Sequence, residues 1–158
     1  MENKQNLLDT QADTYPPKIQ LATELYKNIN MGAEASLHLL PKVKNNELKT
    51  LMTAAMCYYE KAAGRAEKFI KEHGDEPQEE SLMTRMASRA GIAMNTMMDD
   101  STSHIAQMLV KGSTMGVTEA TKLLHRFEGQ EDCGEMLDLA REWVKFEEAH
   151  VEKVKAFL

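Results

Sequence analysis

The sequence predicts an all-α fold: a four-helix bundle made of two helical hairpins joined by a helical crossover. Three observations carry that prediction. Glycine (8) and proline (4) are few and methionine (12) is plentiful among 158 residues, a balance that favours helices over a turn-rich β fold. Apolar residues recur at helical spacing through several long stretches. Two segments also resemble each other: Met31-Gly32-Ala33-Glu34-Ala35-Ser36-Leu37-His38-Leu39-Leu40 returns 84 residues later as Met115-Gly116-Val117-Thr118-Glu119-Ala120-Thr121-Lys122-Leu123-Leu124, and each is followed by a second amphipathic stretch.

The punctuation of the chain gives the elements in order. Residues 1–14 are polar and read as a loose tail, leaving residues 15–158 for the bundle. Tyr15-Pro16-Pro17 opens the first helix, because proline is tolerated in a helix only in its first turn. That helix runs to about Leu40, where Pro41 and Asn45-Asn46 make a turn and cap the next. The second helix continues from about Glu47 to His73-Gly74. A methionine-rich stretch from Glu79 to Met98 reads as a helical connector, and Asp99-Asp100-Ser101 supplies a fresh N-cap. The third helix occupies Thr102 to Phe127 and stops at Glu128-Gly129. Asp132-Cys133-Gly134-Glu135 has the spacing of a capping box for the fourth, which runs nearly to Leu158.

The break at Asp99-Asp100 decides the topology. An unbroken helix over residues 79–127 would be on the order of 70 Å long at 1.5 Å per residue. No other element approaches that length. Splitting it leaves two hairpins about a pseudo-two-fold axis, with the first helix expected against the third and the second against the fourth, where the Met-Gly repeat puts small residues between paired helices.

Composition narrows the function classes. A net charge of -6 argues against a nucleic-acid groove, which needs a basic stripe. No apolar run approaches the ~18 residues of a membrane span, and the first residues have no apolar signal core, so a cytoplasmic setting is expected. Cys57 and Cys133 stand apart with no Cys-x-x-Cys, so no disulfide framework is indicated. The sequence leaves open a homo-oligomer and any protein or small-molecule partner.

One motif carries chemistry. Phe146-Glu147-Glu148-Ala149-His150 contains Glu-x-x-His, the spacing of a helical metal half-site, whereas the matching Tyr59-Glu60-Lys61-Ala62-Ala63 has alanine in place of histidine. The paired hairpins, the crossover and this motif resemble the ferritin-like superfamily. The central run Asn95-Thr96 to Ala106, with Gly112-Ser113-Thr114-Met115-Gly116, is similar to a group of short uncharacterised bacterial proteins of that fold. The resemblance covers roughly residues 20–158. It implies a di-iron site built from one Glu on each of two helices and a Glu-x-x-His on each of the other two.

Five residues are candidates for that metal set: Glu34, Glu60, Glu119, Glu147 and His150. On a helical wheel, the fourth helix presents Leu137, Ala140, Val144, Val151 and Val154, with Glu147 within this face, His150 near its edge and Trp143 at its margin. The third presents Ile105, Met108, Gly112, Met115, Gly116 and Leu123, with Glu119 inside. In the first helix Glu34 flanks Ala22, Tyr26, Ile29, Ala33 and Leu37. In the second Glu60 points away from Leu48, Met52, Ala55, Tyr59, Ala62 and Ala66. Whether Ala62 or Ala63 stands opposite His150, the first half-site lacks its histidine.

The expected function is therefore a non-catalytic ferritin-like bundle acting as a binding or structural module, with a degenerate metal-ligand set and no cofactor. Glu147 and Glu119 would then be held by lysine, arginine or the Tyr59 hydroxyl. The alternative is an iron- or manganese-binding oxidoreductase or iron-handling protein using the five candidates. Weaker features have plainer readings: Asp99 to His104 caps a helix rather than binding an anion, Gly112-x-x-x-Gly116 allows close helix packing, and the methionines fill core. Cys133 falls in a helix first turn, where the dipole would lower a thiol pKa.

Overall fold

The computed structural model describes residues 14–77, 91, 96 and 99–158. The expected tail up to residue 13 and the expected crossover helix lie outside the described residues, apart from Gly91 and Thr96, which are helical. Among the described residues the protein is an all-α four-helix bundle without strands. The helices are α1 (Pro17–Leu39), α2 (Asn46–Glu72), α3 (Thr102–Phe127) and α4 (Gly134–Val154); α1 and α4 each tighten into a terminal 3₁₀ turn.

Local chemistry sets the boundaries. Pro16 and Pro17 start α1. The Asn45 side chain accepts a hydrogen bond from the Leu48 backbone N–H at 2.9 Å and caps α2. Gly74 and Gly129 follow the ends of α2 and α3 with φ of 78° and 75°, a left-handed conformation that costs glycine little. Ser101 Oγ accepts from the His104 N–H at 3.2 Å and Asp99 Oδ1 from the Ser101 N–H at 2.8 Å, so α3 begins at the expected break. The capping box before α4 does not form. Cys133 takes the N-cap position without a side-chain cap bond because its side chain is fully buried, and Asp132, at φ 59°, pairs with Lys18 instead.

The four helices form two antiparallel hairpins, α1 with α2 and α3 with α4, and α1 packs on α3 as α2 packs on α4. Polar ties mark both ends: Lys18 to Asp132 and Arg126 to Gln20 at one, Lys44 to Asp100 at the other. Burial repeats between the hairpins. Leu21, Ala22, Leu25, Ile29, Ser36 and Leu39 of α1 are buried, and so are Ile105, Ala106, Leu109, Ser113, Ala120 and Leu123, 84 positions later in α3. Leu48, Met52, Ala55, Tyr59, Ala62 and Ala66 of α2 have buried counterparts 88 positions on in α4: Met136, Ala140, Trp143, Glu147, His150 and Val154. Hence Tyr59 is the counterpart of Glu147, and Ala62 that of His150.

The stripe on α2 is as expected, but the other three helices are rotated from the expected stripes. Leu37 (54% exposed) and Met115 (66%) face outward, Val144 and Val151 are only half-buried, and Trp143 lies in the core. On α1 and α3 the inward stripes pass through Ser36 and Ser113, which a count of apolar side chains skips, and on α4 the stripe turns toward Trp143 while keeping Glu147 within it. These polar positions also divide the core. One apolar cluster surrounds Leu25, Phe69, Phe127 and Trp143; the other joins Leu39, Leu48, Met52, Ile105 and Val154. Along α1, α3 and α4, Ser36, Ser113, Glu147 and His150 fall between them.

Gly116 marks how closely α3 and α4 approach, since a Cβ there would stand 3.3 Å from Trp143 Cζ2 and 3.4 Å from Glu147 Oε1. Nothing lies within 4 Å of a Cβ built on Gly64 of α2. Gly116→Val should therefore cost about 1–3 kcal/mol in chemical unfolding. Gly64→Ala should stabilise the chain by about 0.5–1 kcal/mol. Equal effects of the two would contradict this packing.

Candidate functional site

Glu147 stands at mid-bundle on the inner face of α4, 2% exposed. Its Oε1 accepts two hydrogen bonds, from the Tyr59 hydroxyl at 2.8 Å and from Trp143 Nε1–H at 2.9 Å. The tyrosine arrives from α2, and the tryptophan from the preceding turn of α4, where residues four apart share a face. Oε2 is buried with no hydrogen-bond partner among the described residues. Ser113 of α3 lies beside the carboxyl and the Tyr59 hydroxyl and exerts a hydrogen-bonding influence on both, without a regular bond to Oε2. Small residues open room for the rings: Gly32 of α1 faces the Tyr59 ring and Gly116 of α3 faces Trp143 and Glu147.

The electrostatics follow from burial. Desolvation raises the pKa of Glu147, and hydrogen bonding by Ser113, Tyr59 and Trp143 opposes the rise only in part. Burial, then the nearby Glu147 carboxyl, lifts Tyr59 well above the ordinary phenol range, so it remains a donor. Tyr58 is pushed up to about 12, first by burial and then by Glu142 and Glu147. His150, 5% exposed, has its pKa lowered by burial and then by Lys153, and its ring stacks on Phe146, which stacks in turn on Tyr58 at 3.7 Å.

The five candidate residues do not converge. Glu147 and His150 face inward on one helix. Glu60 is exposed on α2, as its wheel position implied. Glu119 is not inside the α3 stripe: its side chain is 44% exposed and bonds Lys122 Nζ at 2.7 Å, one turn along the same helix. Glu34 is half-buried on α1 and has a polar contact of its own. Among the described residues no three His, Cys, Asp or Glu side chains gather at one point. A two-metal set of four carboxylates and two histidines does not fit these donors, because the first hairpin puts a phenol and a methyl group where it would need a carboxylate and an imidazole. The thiol of Cys133 also departs from the expected direction: burial, then Asp132, pushes it up, and Lys18 opposes the rise only in part.

Two contributors were not legible as such. Trp143 looked marginal on the wheel, although its position four residues before Glu147 signals a shared face. Ser113 had no signal except that it occupies the place of Ile29 in the repeat.

Tyr59→Phe should cost about 1–3 kcal/mol in chemical unfolding, because it leaves Glu147 Oε1 with one donor in a buried setting. Tyr58→Phe, at a half-buried ring whose hydroxyl makes no hydrogen bond among the described residues, should cost less than about 0.5 kcal/mol. A reversed order would place the important hydroxyl elsewhere.

The comparisons add a family. A family model described as "Domain of unknown function (DUF2383)" matches residues 20–126, which span α1 to α3 and include Tyr59, Ser113 and Gly116 but not α4. No curated protein and no solved structure matches the chain.

Proposed function

Because the chain belongs to the family described as "Domain of unknown function (DUF2383)", whose description carries no activity, we propose from its own residues that it is a non-catalytic ferritin-like bundle serving as a binding or structural module. The observation that supports this reading is the Tyr59–Glu147 hydrogen bond of 2.8 Å at the bundle centre. Positions related by the internal repeat meet there. In a working di-metal bundle both would be ligands; here one is a phenol donating its proton to the other. Ala62, in the place of His150, completes the loss of the first half-site. Of the degenerate metal set, Glu147 and His150 thus become part of the core.

A bundle of this kind acts through its surface. No helix among the described residues is long and apolar enough to cross a membrane, and two free cysteines, Cys57 and Cys133, accord with a reducing cytoplasmic setting. The competing reading, an oxidoreductase or iron-handling protein that uses iron or manganese, requires Glu34, Glu60 and Glu119 to turn inward toward Glu147 and His150.

Anaerobic titration with ferrous iron followed by oxygen separates the two readings, and a parallel manganese titration covers the other metal. The module reading expects no stoichiometric uptake of either metal and no oxo-bridged absorption band. Two equivalents of iron per chain, with a band that disappears in Glu147→Ala, would establish the oxidoreductase instead.

A further inference from the structure

Resting on the reading that the bundle acts through its surface, we infer that the outward face of α3 is where a second copy of this chain docks, the two α3 helices lying antiparallel about a two-fold axis at Met115. Residues three and four apart share a helix face, and Met108, Lys111, Met115, Thr118 and Lys122 follow that spacing on the side of α3 away from its buried stripe. Met115, 66% exposed at the middle of this face, is the most exposed large apolar side chain among the described residues. The corresponding face of α1 is not open in this way. Lys27, Asn30, Glu34 and His38, 84 positions before Lys111, Thr114, Thr118 and Lys122, are half-buried within the chain, whereas the four α3 residues are exposed.

The chemistry around Met115 suits it to being covered. Thr114 and Thr118 each donate the hydroxyl hydrogen to a carbonyl one turn back in α3, Val110 O at 2.8 Å and Thr114 O at 2.9 Å. With both hydroxyls bonded inside the helix, a partner that covers them strands no donor. Gly112 is unlike the other two glycines that face α1 or α3 partners. Gly32 and Gly116 make room for rings inside the bundle, but a Cβ on Gly112 would meet nothing within 4 Å among the described residues. The missing side chain weakens the helix without serving a contact of this chain. It does serve a second helix that approaches from outside.

The charges specify a second copy as that helix. Lys111 and Glu119 stand four residues before and after Met115, and Gly112 and Thr118 three before and after. When Met115 meets its equivalent in an antiparallel pair, Lys111 therefore lies opposite the partner's Glu119 and Gly112 opposite the partner's Thr118, each pairing occurring twice. Lys111 is exposed with no ion pair among the described residues. The Glu119 side chain, 44% exposed, bonds Lys122 at 2.7 Å and has acceptor sites left for a second lysine. A parallel pair would instead set Lys111 against Lys111 and Lys122 against Lys122. One helix face offers less than the about 800 Å² per partner of a standard interface, so the pair is weak, forming at chain concentrations on the order of 100 μM.

Sedimentation equilibrium of the full chain from about 10 μM to about 1 mM brackets such an association. The parent should pass from monomer to dimer, and Met115→Asp should stay monomeric at about 1 mM, because the axis sets its two carboxylates against each other. Lys111→Glu and Glu119→Lys should each weaken the dimer at least about fivefold, and the double reversal should restore it to within about twofold of the parent. Chemical unfolding followed by Trp143, the single tryptophan, should remain close to that of the parent in each variant. A parent that stays monomeric at about 1 mM, a dimer that Met115→Asp leaves intact, or a double reversal no tighter than the single ones would overturn the pairing. The pairing and the module reading fail by different measurements: a monomeric parent that takes up no metal removes the pairing alone, and stoichiometric metal removes the module reading on which it rests.

Discussion

A carboxyl group buried in the middle of an apolar bundle needs hydrogen-bond donors, and the arrangement around Glu147 follows from meeting that need. Left alone, such a group costs several kcal/mol of desolvation. The chain supplies a phenol from the opposite hairpin and an indole from the previous helical turn, both within 2.9 Å of the same oxygen. Those rings are bulky, and their space comes from Gly32 and Gly116 on the facing helices. The repeated Met-Gly pair therefore marks the two places where a helix gives way to a large side chain. The methionines themselves, Met31 and Met115, are exposed.

The same contact explains why the pseudo-two-fold is clear in burial and broken in chemistry. Aliphatic positions can be exchanged between hairpins with little consequence, as with Leu21 and Ile105 or Leu39 and Leu123. At the axis the two halves must complement each other. A second carboxyl at position 59 would set two acids face to face, and a second phenol at position 147 would leave no strong acceptor. Donor on one side and acceptor on the other is a stable, asymmetric solution that needs no cation.

Much of the fold was legible in the sequence because helix ends depend on local chemistry. Pro16-Pro17, Asn45, Ser101, Gly74 and Gly129 each act within a few residues, and each delimits a helix where its chemistry suggested. The rotation of α1, α3 and α4 was not legible. The inward stripes of α1 and α3 run through Ser36 and Ser113, so apolar periodicity pointed toward Leu37 and Met115; on α4 it pointed toward Val144 rather than Trp143. Only α2, whose stripe is apolar but for the Tyr59 hydroxyl, read correctly. The capping box failed for a tertiary reason, the burial of Cys133, that no four-residue window contains. At the candidate site, the missing first-half histidine and the Tyr59 partner could be read from the repeat. The outward turn of Glu119 and the inward turn of Trp143 could not, since both depend on the true roll of their helices.

The central claim is that Tyr59 and Glu147 hold the hairpins together through a direct bond, and a double-mutant cycle measures that bond most directly. Chemical unfolding of Tyr59→Phe, Glu147→Leu and the double variant gives the coupling energy between the two side chains, because each single change removes one partner of the bond. A direct hydrogen bond between them predicts coupling of about 0.5–3 kcal/mol, the double variant losing less than the sum of the two single changes. Additive effects, with no coupling beyond about 0.3 kcal/mol, would mean that the two groups do not bond across the axis.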